Sequence, residues 1–158
     1  MEHRRNYKPI AKLTSVLSDL AQAYRREEVI MGDSDTQTRE QAALEFLRLV
    51  VAGRFDEAYG KHVDMNGKHH NVYFPAGFSA LKKAMAENHV QFPDKQLTPI
   101  NVIAVEDIVA VHSHLVLQQG VQEMIVVHIF RFQGNKIAEM WDCGQSVPDK
   151  CTNTDGAY

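Results

Sequence analysis

Long apolar runs are missing from this 158-residue chain. Runs such as Ile125-Val126-Val127 and Ile108-Val109-Ala110-Val111 fall far short of the ~20 residues a bilayer span needs, so no membrane partner is expected. Cysteine is scarce as well. Cys143 and Cys151 are the only two and fit neither a C-x-x-C pair nor a secreted disulfide framework, which points to a reducing, cytoplasmic setting. Nor is there a basic excess. With 17 Lys+Arg against 20 Asp+Glu and a formal net charge of -3, the chain lacks the electrostatic footprint of a nucleic-acid binder. A Walker loop, a G-x-G-x-x-G turn, a G-x-S-x-G elbow and an H-E-x-x-H helix are all absent, so nucleotide cofactors, serine hydrolysis and zincin chemistry have no support and no cofactor is expected. What is present, 44% hydrophobic and 23% charged residues, suits one globular domain. A chain of this size buries about 70% of its unfolded surface without any staple.

Hydrophobic spacing organises the chain. Ile10, Leu13, Leu17, Leu20 and Tyr24 share one helical face, which predicts an extra amphipathic helix within residues 1–31. Gly32-Asp33-Ser34-Asp35 reads as a break. A helix from about Thr38 places Ala43, Phe46, Leu47 and Val50 on one face and closes at Gly53; a short one follows at Phe55 to Tyr59. Gly60 to Lys68 reads as polar and irregular, and Phe78 to Asn88 is the last helical stretch. From Leu97 the period becomes two. Strands are predicted at Ile100 to Val105, Ile108 to Gln118, Glu123 to Phe132 and Lys136 to Gly144, with Glu106-Asp107 and Gln133-Gly134-Asn135 at hairpin turns. Helices followed by an antiparallel meander predict an α+β domain over residues 38–148, with residues 149–158 as a C-terminal tail.

Strand alternation then sorts the chemistry. His112 and His114 stand two apart and share a face; His128 shares one with Val126 and Phe130. The three histidines are expected to converge. Asp142 depends on the hairpin. A three-residue loop over Gln133 to Asn135 pairs Phe132 with Lys136 and puts Asp142 on the face of His128, whereas a two-residue Gly134-Asn135 turn substitutes Glu139 and Trp141. The first is expected. A His beside an Asp in an apolar concavity has opposed influences on both groups, since burial disfavours charge and pairing favours it, and a balance near neutrality suits proton transfer. A second reading is metal: His112, His114 and His128 on two strands are a set that can hold zinc or iron with an open position.

The segment Val126 to Phe132, the turn, and Lys136 to Asp142 are similar to the closing hairpin of SnoaL-like proteins, the polyketide-cyclase branch of the nuclear-transport-factor-like superfamily. His70-Asn71 followed by Gly77, and Ile108 to His114, extend the likeness over roughly residues 38–148, towards a group predicted to catalyse aldol condensation. The resemblance implies a cone-shaped α+β barrel, with N-terminal helices packed on a strongly curved antiparallel sheet, and a homodimer formed through that sheet. It also implies a small-molecule lyase, cyclase or isomerase without a cofactor. In such cyclases an aspartate stands where this chain has His128, so the reaction is not inherited unchanged. Limonene epoxide hydrolases, which look like distant relatives, place polar residues at positions falling on His69, Asn71, His112, His114 and Asp142; only Asn71 and Asp142 keep the residue type. The expected catalytic residues are thus His128, Asp142, His112 and His114, with His69, His70, Asn71, Phe130 and Trp141 contacting substrate. A non-catalytic ligand-binding or dimerisation module is the alternative.

Overall fold

The computed structural model describes residues 34–120 and 122–158; the helix expected within residues 1–31 lies outside them. Helix α1 covers residues 34–51, so Ser34 and Asp35 are helical rather than part of a break. It is followed by α2 (Phe55–His62), β1 (Val63–His69), α3 (Phe78–Gln91), β2 (Gln96–Val105), β3 (Ile108–Gln118), β4 (Gln122–Gln133) and β5 (Lys136–Ser146). The strands form one sheet in the order β1-β5-β4-β3-β2, strongly curved but not closed. No helix among the described residues is long and apolar enough to cross a membrane.

The helices form where the apolar stripe predicts, and their buried face packs on the sheet. Ala43, Phe46, Leu47 and Val50 of α1 join Val109, Val111, Phe130, Phe132, Ile137 and Met140 of the strands in one core. Aromatic edges fix the contact: Phe46 meets Phe130 at 5.8 Å and Tyr59 at 5.4 Å, and Tyr59 meets Phe78 at 6.4 Å, all edge-on. In α2, Asp56 and Glu57 occupy the first turn and Lys61 and His62 the last, complementing the helix dipole. Lys61 also reaches Glu45 of α1 at 2.7 Å.

The sheet differs from the expected antiparallel meander by one strand. β1 falls in the stretch read as irregular, and it runs parallel to β5, pairing Val63 with Ile137 and Lys68 with Glu139. Only its two ends, Val63 and His69, are buried, and Met65 is exposed. A strand held by main-chain pairing at a sheet edge carries no apolar alternation to read. Gly67 is required there, because a Cβ on it would collide with the Ala138 carbonyl oxygen of β5.

The β4–β5 hairpin lacks the expected three-residue loop, yet still brings Asp142 to the face of His128. Its turn is the two-residue Gly134-Asn135, flanked by Gln133↔Lys136, with Gly134 at φ +59°. Pairing runs on through Phe132↔Ile137 and resumes at Arg131↔Glu139, which leaves Ala138 as an extra residue. That bulge shifts the ladder by one. His128 consequently lies directly opposite Asp142.

Candidate active site on the inner face of the sheet

Opposed residues of adjacent strands project to the same side of a sheet. The pairings Val111↔His128 and His128↔Asp142 therefore align three side chains in one row across β3, β4 and β5. The next rows are Val109, Phe130 and Met140 on one side and Ser113, Val126 and Gly144 on the other. Val109, Val111, Ser113 and Phe130 have no exposure at all, which identifies this as the inner, helix-covered face.

Within that face the polar atoms are incompletely paired. Asp142 Oδ2 accepts a 2.6 Å hydrogen bond from Asn71 Nδ2, while Asp142 Oδ1, His128 Nδ1 and Ser113 Oγ are buried with no hydrogen-bond partner among the described residues. Unmade hydrogen bonds of buried groups are costly. Three more such atoms, Tyr59 Oη, His62 Nε2 and His89 Nδ1, belong to the helices; the three on the strands share one face of the sheet. Burial pushes the His128 imidazole from 6.5 down to about 4, against the opposing pull of Asp142. The expected balance near neutrality is thus not struck for His128. With its Nδ1 shielded and not bonded to the carboxylate, desolvation prevails, and the ring is neutral at pH 7.

Asn71 is set by the turn after β1. Its Oδ1 accepts from the Tyr73 amide at 2.9 Å, which leaves its Nδ2 to donate to Asp142. His69 braces the same turn: Nε2 donates to the Pro75 carbonyl at 2.9 Å, and Nδ1 accepts from the Asn71 amide at 3.3 Å. Both ring nitrogens are satisfied, so His69 acts on the site by holding Asn71.

The other predicted residues lie on the outer face. His112 pairs with Val127 and His114 with Ile125, one step out of phase with His128. The three histidines do not converge, because alternation separates a residue opposite Val127 from one on the row of Val111. The proposed metal set is divided in the same way, and among the described residues no group of three or more His, Cys, Asp or Glu side chains is placed to hold a metal ion. His112 Nδ1 meets Asn101 Nδ2 at 3.1 Å. His114 pairs with Glu123 at 2.9 Å and stacks on Tyr158 of the tail at 4.2 Å. His70 stacks on Trp141 at 4.9 Å and bonds Glu139 at 2.9 Å. Glu139 also takes Lys68 and Arg131, and the His70 bond leads in holding its carboxyl below the usual range. These contacts brace the outer surface.

Ser113 escaped the sequence reading. The signal was there: Val109, Val111 and Ser113 alternate with Ala110, His112 and His114, and β-branched Val109 and Val111 mark the inner row. A groove of about 550 Å³ bordered by Phe92, Asp94, Leu117 and Glu123 contains none of the unpartnered atoms.

Neither a protein-family model nor a curated protein sequence matches the chain. Solved structures do. AclR of Streptomyces galilaeus, a protein assigned as a hydroxylase, is 24% identical with a TM-score of 0.58, covering 70% of this chain and 90% of its own. A SnoaL-like polyketide cyclase of Agrobacterium tumefaciens is 17% identical with a TM-score of 0.57, covering 68% and 91%. A protein assigned as a ketosteroid isomerase from Kribbella flavida is 16% identical with a TM-score of 0.59, covering 75% and 86%. The chain shares the α+β fold of these structures, SnoaL-like proteins among them.

Proposed function

We propose that this chain is a cofactor-free acid/base enzyme of the cyclase, lyase or isomerase kind, moving a proton on a small cyclic or polyketide-like carbonyl compound held against the inner face. The carrying observation is the pair His128 and Asp142, opposed in adjacent strands with Nδ1 and Oδ1 buried and unpartnered. Cyclases and isomerases among the similar structures support that choice of chemistry. The neutral His128 imidazole takes a proton from the carbon next to a carbonyl, the C–H electron pair moves onto the carbonyl oxygen to give an enolate, and the imidazolium returns the proton to complete the turnover. The imidazolium so formed lies beside Asp142, whose negative charge stabilises it, and Asn71 keeps that carboxylate in place. Phe130, stacked on His128 at 6.1 Å, forms the apolar floor. His112, His114, His70 and Trp141 have no part in this step, being on the other face.

Proton exchange at the α-carbon of 2-tetralone in D2O, followed by NMR, tests this reading. Wild type accelerates exchange, His128→Ala abolishes the acceleration, and Asp142→Asn lowers it at least about tenfold. Equal exchange in wild type and His128→Ala would sink the assignment; saturable binding without exchange would make the chain a binding module.

The outer face suits a second copy of this chain. Ile103 and Val105 are 63% and 61% exposed and share that face with Ile129 and Trp141, an apolar surface of the kind that marks an interface. Sedimentation should give a homodimer for wild type and a monomer for Ile103→Asp; identical masses would count against this interface.

A further inference from the structure

We infer that the Ser113 hydroxyl is a second ligand contact on the inner face, selecting ligands that carry an oxygen function remote from the one at His128 and Asp142. This rests on the inner face being the ligand site. Ser113 has no exposure, and its Oγ has no hydrogen-bond partner among the described residues. A serine hydroxyl can donate once and accept twice, and shutting it away unpaired works against folding. Packing alone does not use it. Its row neighbours Val109 and Val111 are equally buried and purely apolar, so a methyl group would serve the core at least as well. Nor does β2 relieve it, because the residue opposite is Pro99, whose side chain carries no polar atom.

Position gives the hydroxyl its meaning. Ser113 is opposite Val126, one row along from Val111 and His128, which makes it a diagonal neighbour of His128 at ~7–8 Å. From Asp142 it is two strands away and one row along, or about 12 Å at the usual strand spacing and rise. With a hydrogen bond of about 2.8 Å at each end, a ligand joining them needs two oxygens at opposite ends of a fused two-ring skeleton. Three unpartnered atoms on one face, Ser113 Oγ, His128 Nδ1 and Asp142 Oδ1, then become the two ends of one recognition surface.

The test compares 2,6-dihydroxynaphthalene with 2-naphthol by calorimetry. Wild type should prefer the diol by roughly 3- to 30-fold, the range of one hydrogen bond made in a buried site. Ser113→Ala should erase that preference, bringing the diol's affinity down to that of 2-naphthol. If Ser113→Ala fails to fold, Ser113→Cys, which keeps the bulk and weakens the donor, should reduce the preference in its place. A preference that survives in the variant, with Asp142→Asn still weakening both naphthols, overturns the Ser113 contact and leaves the inner-face reading standing. Affinities unmoved by Asp142→Asn overturn the inner-face reading, and this inference with it.

Discussion

Lowering the pH from 7 to 4 should cost the folded domain about 3 kcal/mol through His128 alone, and His128→Gln should be spared that share of the loss. The imidazole falls from 6.5 in the unfolded chain to about 4 in the fold, and at about 1.4 kcal/mol per pH unit the difference amounts to that figure. Above 6.5 neither state holds the proton. Between the two values the unfolded chain binds a proton that the folded chain refuses, so stability falls as pH falls. Below about 4 both states are protonated and the loss stops growing. His62, lowered chiefly by burial, pulls the same way, while Glu45, Asp56 and Glu139, lowered first by their bonds to Lys61, Lys82 and His70, also weaken the fold in acid. Those contributions are common to both proteins and cancel in the comparison. Urea unfolding at stepped pH should show the two stability curves separating below pH 6.5 and running parallel again near 4. Parallel curves throughout would mean that the His128 ring is not desolvated.

Phe130→Ala should destabilise the domain by about 3–5 kcal/mol, the range for emptying a buried aromatic site. Phe130 has no exposure, meets Phe46 of α1 edge-on at 5.8 Å, and lies parallel to His128 at 6.1 Å. It joins the helical layer to the sheet beside the proposed base. Its removal should also admit solvent toward His128, so an NMR titration of that imidazole should move upward, toward the ordinary value. A loss below about 1 kcal/mol would mean that the surrounding side chains collapse into the space. The ring would then not be what keeps His128 dry.

Period and composition made most of this fold legible. The stripe through Ala43, Phe46, Leu47 and Val50, the helix opening at Phe78, and the boundaries Ile108 to Gln118 follow directly from apolar spacing. β1 was illegible because it satisfies its main chain at a sheet edge and buries only its ends. His128, Asp142 and Phe130 share the inner face as alternation along the strands implies, with Asn71 bonded to Asp142, whereas His112 and His114 lie on the outer face and do not join them. An imidazole pair attracts notice, yet the alternation of Val109 and Val111 already assigned those histidines to the other side. Asp142 came to the inner face through a bulge and not through the loop length inferred for the turn. Ser113 was missed because a serine among valines reads as a small core residue until its missing partners are counted.

The extra residue at Ala138 has a bearing on how other chains of this shape are aligned. Here His128 and Asp142 face each other across a two-residue turn only because one position of β5 is left out of the ladder. A hairpin with the same turn and no bulge would bring a base and a carboxylate face to face with one residue fewer between them. The separation of the two along a sequence is therefore not a fixed signature, and an alignment gap belongs inside the strand at this point, since placing it in the turn would exchange the inward and outward residues of everything between.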